Sequence, residues 1–138
     1  MQTVIDEKVH NYYWNQDLNC ALTTLKILSD IFHLKIHHEL LDATYGLNAG
    51  RFGFQCGLVQ GTLMFIGIYG SLKKLTQTEI AEMCRRYVDS FQNKFGSMQC
   101  RELRPQGFNP NNPPHLCENL TKLSIGYSVE FISKELNG

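Results

Sequence analysis

A chain of 138 residues has room for one hydrophobic core and little more, since single domains commonly run to about 100–150 residues. Its 43% hydrophobic and 11% aromatic content, against 19% charged residues, excludes a disordered polymer. Thirteen basic side chains balance thirteen acidic ones, which excludes the strong basic field of a nucleic-acid binder or an anionic-membrane binder.

Apolar residues recur mainly at three- and four-residue spacing, so the expected fold class is all-α: one domain over residues 1–138, a compact bundle of four to five helices. The N-terminal stretch MQTVIDEKVHNYYW carries acids and a histidine where a secretory signal needs a basic start and an apolar run, and the chain is read as cytoplasmic. A first helix is expected over Val4 to Trp14. A second begins at Asp17 as N-cap and runs toward Phe32, with Ala21, Leu25, Leu28 and Phe32 on one face and Ile27 and Ile31 widening it. His37 to Tyr45 adds a short helix ended by Gly46.

Three glycines in Gly46 to Phe54 mark a loop that delivers the chain to Cys56 and is expected to line the functional site. From Cys56 the run CGLVQGTLMFIGIYG is apolar on nearly every side, the mark of an enclosed helix, with Gly70 as its stop. Its apolar core, Leu58 to Tyr69, is shorter than the roughly 18–20 residues that cross a bilayer, so no membrane span is expected. Glycines inside a helix cost roughly 1 kcal/mol each against alanine, so Gly57, Gly61 and Gly67 point to close approach of another backbone or of a cofactor. Thr76 or Thr78 caps the next helix, which carries Ile80, Met83, Tyr87, Val88, Phe91 and Phe95 on one face and ends at Gly96. A short turn follows from Ser97 through Cys100 to Leu103. The last helix starts at Pro113 or Pro114 and is expected to turn Leu116, Leu120, Leu123, Tyr127 and Phe131 inward.

Four of the five cysteines, Cys20, Cys56, Cys100 and Cys117, fall at or near an expected helix start. Unpaired N–H groups and the positive end of the helix dipole favour a thiolate there, the form that attacks disulfides, is oxidised and binds metal. Of these, Cys56 is expected to be the most acidic. Cys84 sits within the stripe of its helix, and ordinary packing accounts for it. In a reducing compartment five cysteines serve redox exchange, catalysis or metal more readily than structural disulfides. There is no Cys-x-x-Cys, which removes the zinc ribbon and the thioredoxin-type pair, yet separated ligands can still converge in a helical bundle.

The order and surroundings of these residues resemble a family of redox-active proteins named for its cysteine pattern: a cysteine, a Cys-Gly-Ala-x-x-Gly-like core, then two further cysteines. Here Cys20 stands in NCALTTL, Cys56 to Gly61 reads CGLVQG, Cys100 stands in FGSMQCREL and Cys117 opens the last helix. Leu58 stands where the family has alanine. The resemblance implies a redox or metal role for Cys20, Cys56, Cys100 and Cys117, by thiol–disulfide exchange or by ligation of an iron-sulfur cluster with an unidentified redox partner. A structural zinc site on the same four thiolates is the second reading, and a helical interaction module, self-associating or not, is the third.

Among the other residues, Gly57 and Gly61 are candidates for contact with a cofactor. Arg101 adjoins Cys100 and would depress its pKa; Arg85, Arg86 and Arg104 read as solvated charges. His33, His37 and His38 form no His-Glu-x-x-His, and His115 is placed to tune Cys117 or to serve as a ligand. No phosphate-binding glycine loop and no Gly-x-Ser-x-Gly elbow is present.

Overall fold

The computed structural model describes residues 1–47, 55–104, 109 and 111–137. Among them the chain is all-helical, with seven α-helices and no strand. Helix α1, Gln2–Trp14, buries Ile5, Val9 and Tyr13 at four-residue spacing. Helix α2, Cys20–Ile31, is capped by Asn19, whose side chain accepts the Leu22 N–H at 2.8 Å. The expected cap, Asp17, lies two residues earlier in the left-handed region at φ 51, so the helix starts later and Cys20 is its first residue. Helix α3, His38–Ala43, runs into a 3-10 turn at Thr44–Gly46.

Helix α4, Gly57–Leu72, begins at Cys56 as N-cap. It passes through Gly70 instead of stopping there, because Gly70 is a packing position: a Cβ on it would meet Ile80 Cγ1 at 3.0 Å. Helix α5, Gln77–Phe95, opens on a full capping box, Thr76 with Glu79, and closes on Gly96 at φ 89. Helix α6 is one turn, Cys100–Leu103, and a 3-10 turn at Pro114–Cys117 leads into helix α7, Glu118–Ile132. The count exceeds the expected four to five because the short helix expected over His37 to Tyr45 forms as α3 and the expected turn at Cys100 closes into the one-turn α6, too short for a periodic signal.

Helix α2 is the centre of the bundle. It lies against α1, α4 and α7, and its most extensive contact is with α4. That contact depends on two glycines. A Cβ on Gly61 would meet the Ala21 carbonyl oxygen at 2.5 Å, and one on Gly57 would meet both Ala21 N and Cys20 Cβ at 2.9 Å. The expectation of close backbone approach is therefore met by α2 itself at Gly57 and Gly61, whereas a Cβ on Gly67 would meet nothing within 4 Å and that position needs no glycine for packing.

Helix α7 packs the expected Leu120, Tyr127 and Phe131 partly buried against the core, but its most buried face is another one. Leu123 is 62% exposed, whereas Thr121, Ser124, Ile125, Ser128, Val129 and Ile132 are buried. Two of the three hydroxyls on this face, those of Thr121 and Ser128, find partners. Ser128 Oγ meets Tyr87 OH at 2.7 Å and Thr62 Oγ1 at 3.0 Å, which removes most of the penalty of burying them. No helix among the described residues is long and apolar enough to cross a membrane.

Candidate functional site

All four helix-start cysteines line one cavity of about 420 Å³, together with residues such as Tyr45, Leu58, Arg104 and Asn112. Cys20 and Cys100 are the first residues of α2 and α6, while Cys56 and Cys117 are the N-caps of α4 and α7. Three local devices bring them together. The glycine contact seats the start of α4 on the start of α2, setting Cys56 beside Cys20. An isolated antiparallel bridge, Gln55 with Gln99, and the hydrogen bond from Cys56 N–H to the Met98 carbonyl at 2.8 Å tie the approach to Cys56 to the approach to Cys100. On the third side Tyr13 of α1 shares a hydrogen bond of 2.7 Å with Thr121 Oγ1, which donates to the Cys117 carbonyl at 2.8 Å.

Cys20 is partly exposed; Cys56, Cys100 and Cys117 are buried. The Cys20 thiol is brought down to about 7 by a hydrogen bond from Cys117, against the cost of burial, with further help from the Tyr13 hydroxyl and the positive charge of Arg104. Cys117 moves the other way. Its hydrogen bond to Cys20, its burial and the Cys20 charge all hold it as a thiol, and only Arg104 opposes them. Tyr13 also stays protonated, well above its ordinary value, through burial and the neighbouring Cys20. The arrangement is one thiolate with two donors directed at it.

The acidity expected of Cys56 belongs instead to Cys20. Cys56 does receive the backbone N–H groups of Leu58 and Val59, but burial and the charge of Cys20 push it up to about 12. Desolvation outweighs the helix-end donors because Cys56 is only 5% exposed. Cys84 lies on α5 away from the cavity, and burial alone raises its pKa, in keeping with a packing role.

Gly57 lines the cavity, whereas Gly61 serves the α2 contact. Arg101 is exposed and off the cavity wall; the cation at the thiols is Arg104. Its burial disfavours the charge, but electrostatic attraction to the surrounding cysteines and a hydrogen bond to Cys100 outweigh this and raise its pKa. Among the described residues Arg104 Nε and Nη1 are buried without a hydrogen-bond partner, a state that costs about 1–3 kcal/mol per neutral donor and more for a charged one. The sequence did hold a signal for it, since Arg104 follows Cys100 by one helical turn. His115 lies off the cavity and stacks on Trp14 with ring centroids 3.8 Å apart. Of the expected loop, residues 48–54 lie outside the described residues, while Tyr45 and Leu47 just before them line the cavity.

Among the described residues no group of three or more His, Cys, Asp or Glu side chains is arranged to hold a metal ion. The expected ligand set Cys20, Cys56, Cys100 and Cys117 shares one cavity wall without forming such a group. Cys20 is engaged by Cys117 and Tyr13, and Cys100 faces Arg104. What the arrangement offers is a hydrogen-bonded thiol and thiolate at the wall of an accessible cavity.

No curated protein and no solved structure was found to match the chain. A family model with the description "Putative redox-active protein (C_GCAxxG_C_C)" matches residues 18–131, a span that holds all four cavity cysteines, and the chain belongs to that family.

Proposed function

We propose that the protein is a thiol–disulfide redox protein in which Cys20 is the attacking thiolate and Cys117 the resolving thiol. The observation that carries this reading is that Cys20, at the start of α2, and Cys117, at the start of α7, line one cavity, with the pKa of Cys20 lowered and Cys117 held as a thiol by their mutual interaction. With a pKa of about 7, about half of Cys20 is thiolate at neutral pH. The Cys20 sulfur attacks a disulfide R–S–S–R, forming Cys20–S–S–R and releasing RS⁻. Cys117 then loses its proton to that leaving thiolate and attacks the Cys20 sulfur, expelling the second RS⁻. The protein is oxidised by two electrons to the Cys20–Cys117 disulfide, and the substrate is reduced to two thiols, one of them carrying the Cys117 proton. The reverse sequence oxidises a dithiol.

Cys56, held protonated, and Cys100 form the remaining thiol wall around the pair. Oxidation of the reduced protein with a small disulfide, followed by peptide mapping, tests the assignment. Cys20–Cys117 is expected as the first disulfide, absent in Cys20→Ser and retained in Cys84→Ser. A first disulfide that excludes Cys20, or stoichiometric iron and sulfide in anaerobically purified protein that Cys20→Ser removes, would overturn it.

A further inference from the structure

The reaction proposed above leaves Arg104 unexplained. A cation beside a thiolate needs only its charge, yet Arg104 also keeps two guanidinium nitrogens, Nε and Nη1, buried and without an acceptor among the described residues, at the cavity that holds the thiols. The thiols offset its charge, but they supply no acceptor to those two nitrogens. A planar guanidinium with unused donors is matched by an oxyanion, above all a carboxylate.

Resting on the redox reading, we infer that Arg104 binds the carboxylate of a small carboxylate-bearing disulfide, or of the corresponding thiol, and so sets the sulfur of that ligand against Cys20. The size of the cavity fits such an occupant: about 420 Å³ lies within the range of about 300–1,000 Å³ typical of small-ligand sites. The amides of Asn111 and Asn112 and the apolar groups of Leu58 and Leu103 share the wall, a mixture suited to a short polar chain with a methylene body. Asp17 is the carboxylate on the described wall, and it is exposed, so solvent screens its repulsion. The placement also answers a difficulty of the chemistry. An anionic substrate approaching the Cys20 thiolate meets like charge, and a cation shared by both cancels that repulsion.

The test is a charge series of disulfides of similar length: 3,3'-dithiodipropionate, 2-hydroxyethyl disulfide and cystamine, reacted with the reduced full chain at low ionic strength. For the wild-type protein the anionic disulfide is expected to react about tenfold faster than the neutral one, and the cationic one more slowly still. Arg104→Gln slows all three by weakening the Cys20 thiolate, so the ratio of anionic to neutral rates is the reading. That ratio is expected to fall toward one in Arg104→Gln and to survive in part in Arg104→Lys. Should Arg104→Gln not fold, the wild-type ratio and its loss at high salt carry the test. Binding of 3,3'-thiodipropionate, a thioether that cannot exchange, gives a readout independent of redox turnover, expected to weaken at least about tenfold in Arg104→Gln. A wild-type ratio near one, or a ratio and thioether affinity unchanged in Arg104→Gln, would overturn the inference while leaving exchange at Cys20 intact. Failure of all three disulfides to react at Cys20, with thioether binding still dependent on Arg104, would sink the redox reading instead.

Discussion

Cys20 owes its acidity first to a partner from the far end of the chain. Replacing Cys117 with alanine removes the largest contribution to the lowered pKa. The midpoint of Cys20 alkylation is expected to move from about 7 toward the ordinary 9.0, slowing alkylation at neutral pH about tenfold. A mass-spectrometric alkylation profile across pH checks this, and an unmoved midpoint would refute it. The same shifts set the sign of a stability profile. Cys20, lowered, contributes stability that is fully present above 9.0 and is lost as pH falls through about 7. Cys56, raised, contributes stability present below 9.0 and lost as pH rises through about 12. Denaturant midpoints of the reduced protein should therefore climb from pH 7 to pH 9 and decline beyond, and Cys20→Ser should flatten the climb. The helix-start placement of all four cavity cysteines could be read from caps, prolines and glycines. Their ranking could not, because it depends on which thiol meets which across the bundle.

At the scale of elements, the α2–α4 contact is the joint that seats Cys20 beside Cys56. Gly61→Ala would drive a methyl group to 2.5 Å from the Ala21 carbonyl oxygen, which is backbone and cannot swing aside. The expected loss is about 1–3 kcal/mol, read from urea unfolding, with altered Cys20 alkylation as α2 shifts; a neutral result would show that the helices are not held at this spacing. Glycines 57 and 61 were conspicuous in the sequence because an enclosed helix has few other reasons to carry them. The polar part of the inward face of α7 was hidden for the converse reason. Apolar periodicity favoured Leu123, while the buried face is built partly from Thr121, Ser124 and Ser128, whose place depends on distant groups such as Tyr87 and Thr62.

Across the whole molecule, α1 is fastened to α7 through Glu118. Its carboxylate accepts from Trp14 Nε1 at 2.6 Å, meets His10 Nδ1 at 3.0 Å and pairs with Lys122 at 2.8 Å. Burial opposes its charge, but Lys122, Trp14 and His10 together bring its pKa down to about 2. This lowered carboxylate contributes stability present above 4.5 that is lost as pH falls toward 2. Acid unfolding of Glu118→Gln should lack that component, and an identical acid profile would count against the fastening.

Trp14, the single tryptophan of the chain, is bound to this carboxylate and stacked on His115, two residues before Cys117. Formation of the Cys20–Cys117 disulfide would pull on the turn that carries His115 and bring an electron-accepting S–S bond near the indole. On the redox reading the protein would carry its own optical gauge: tryptophan emission is expected to dim on oxidation and recover on reduction, without a label and in real time.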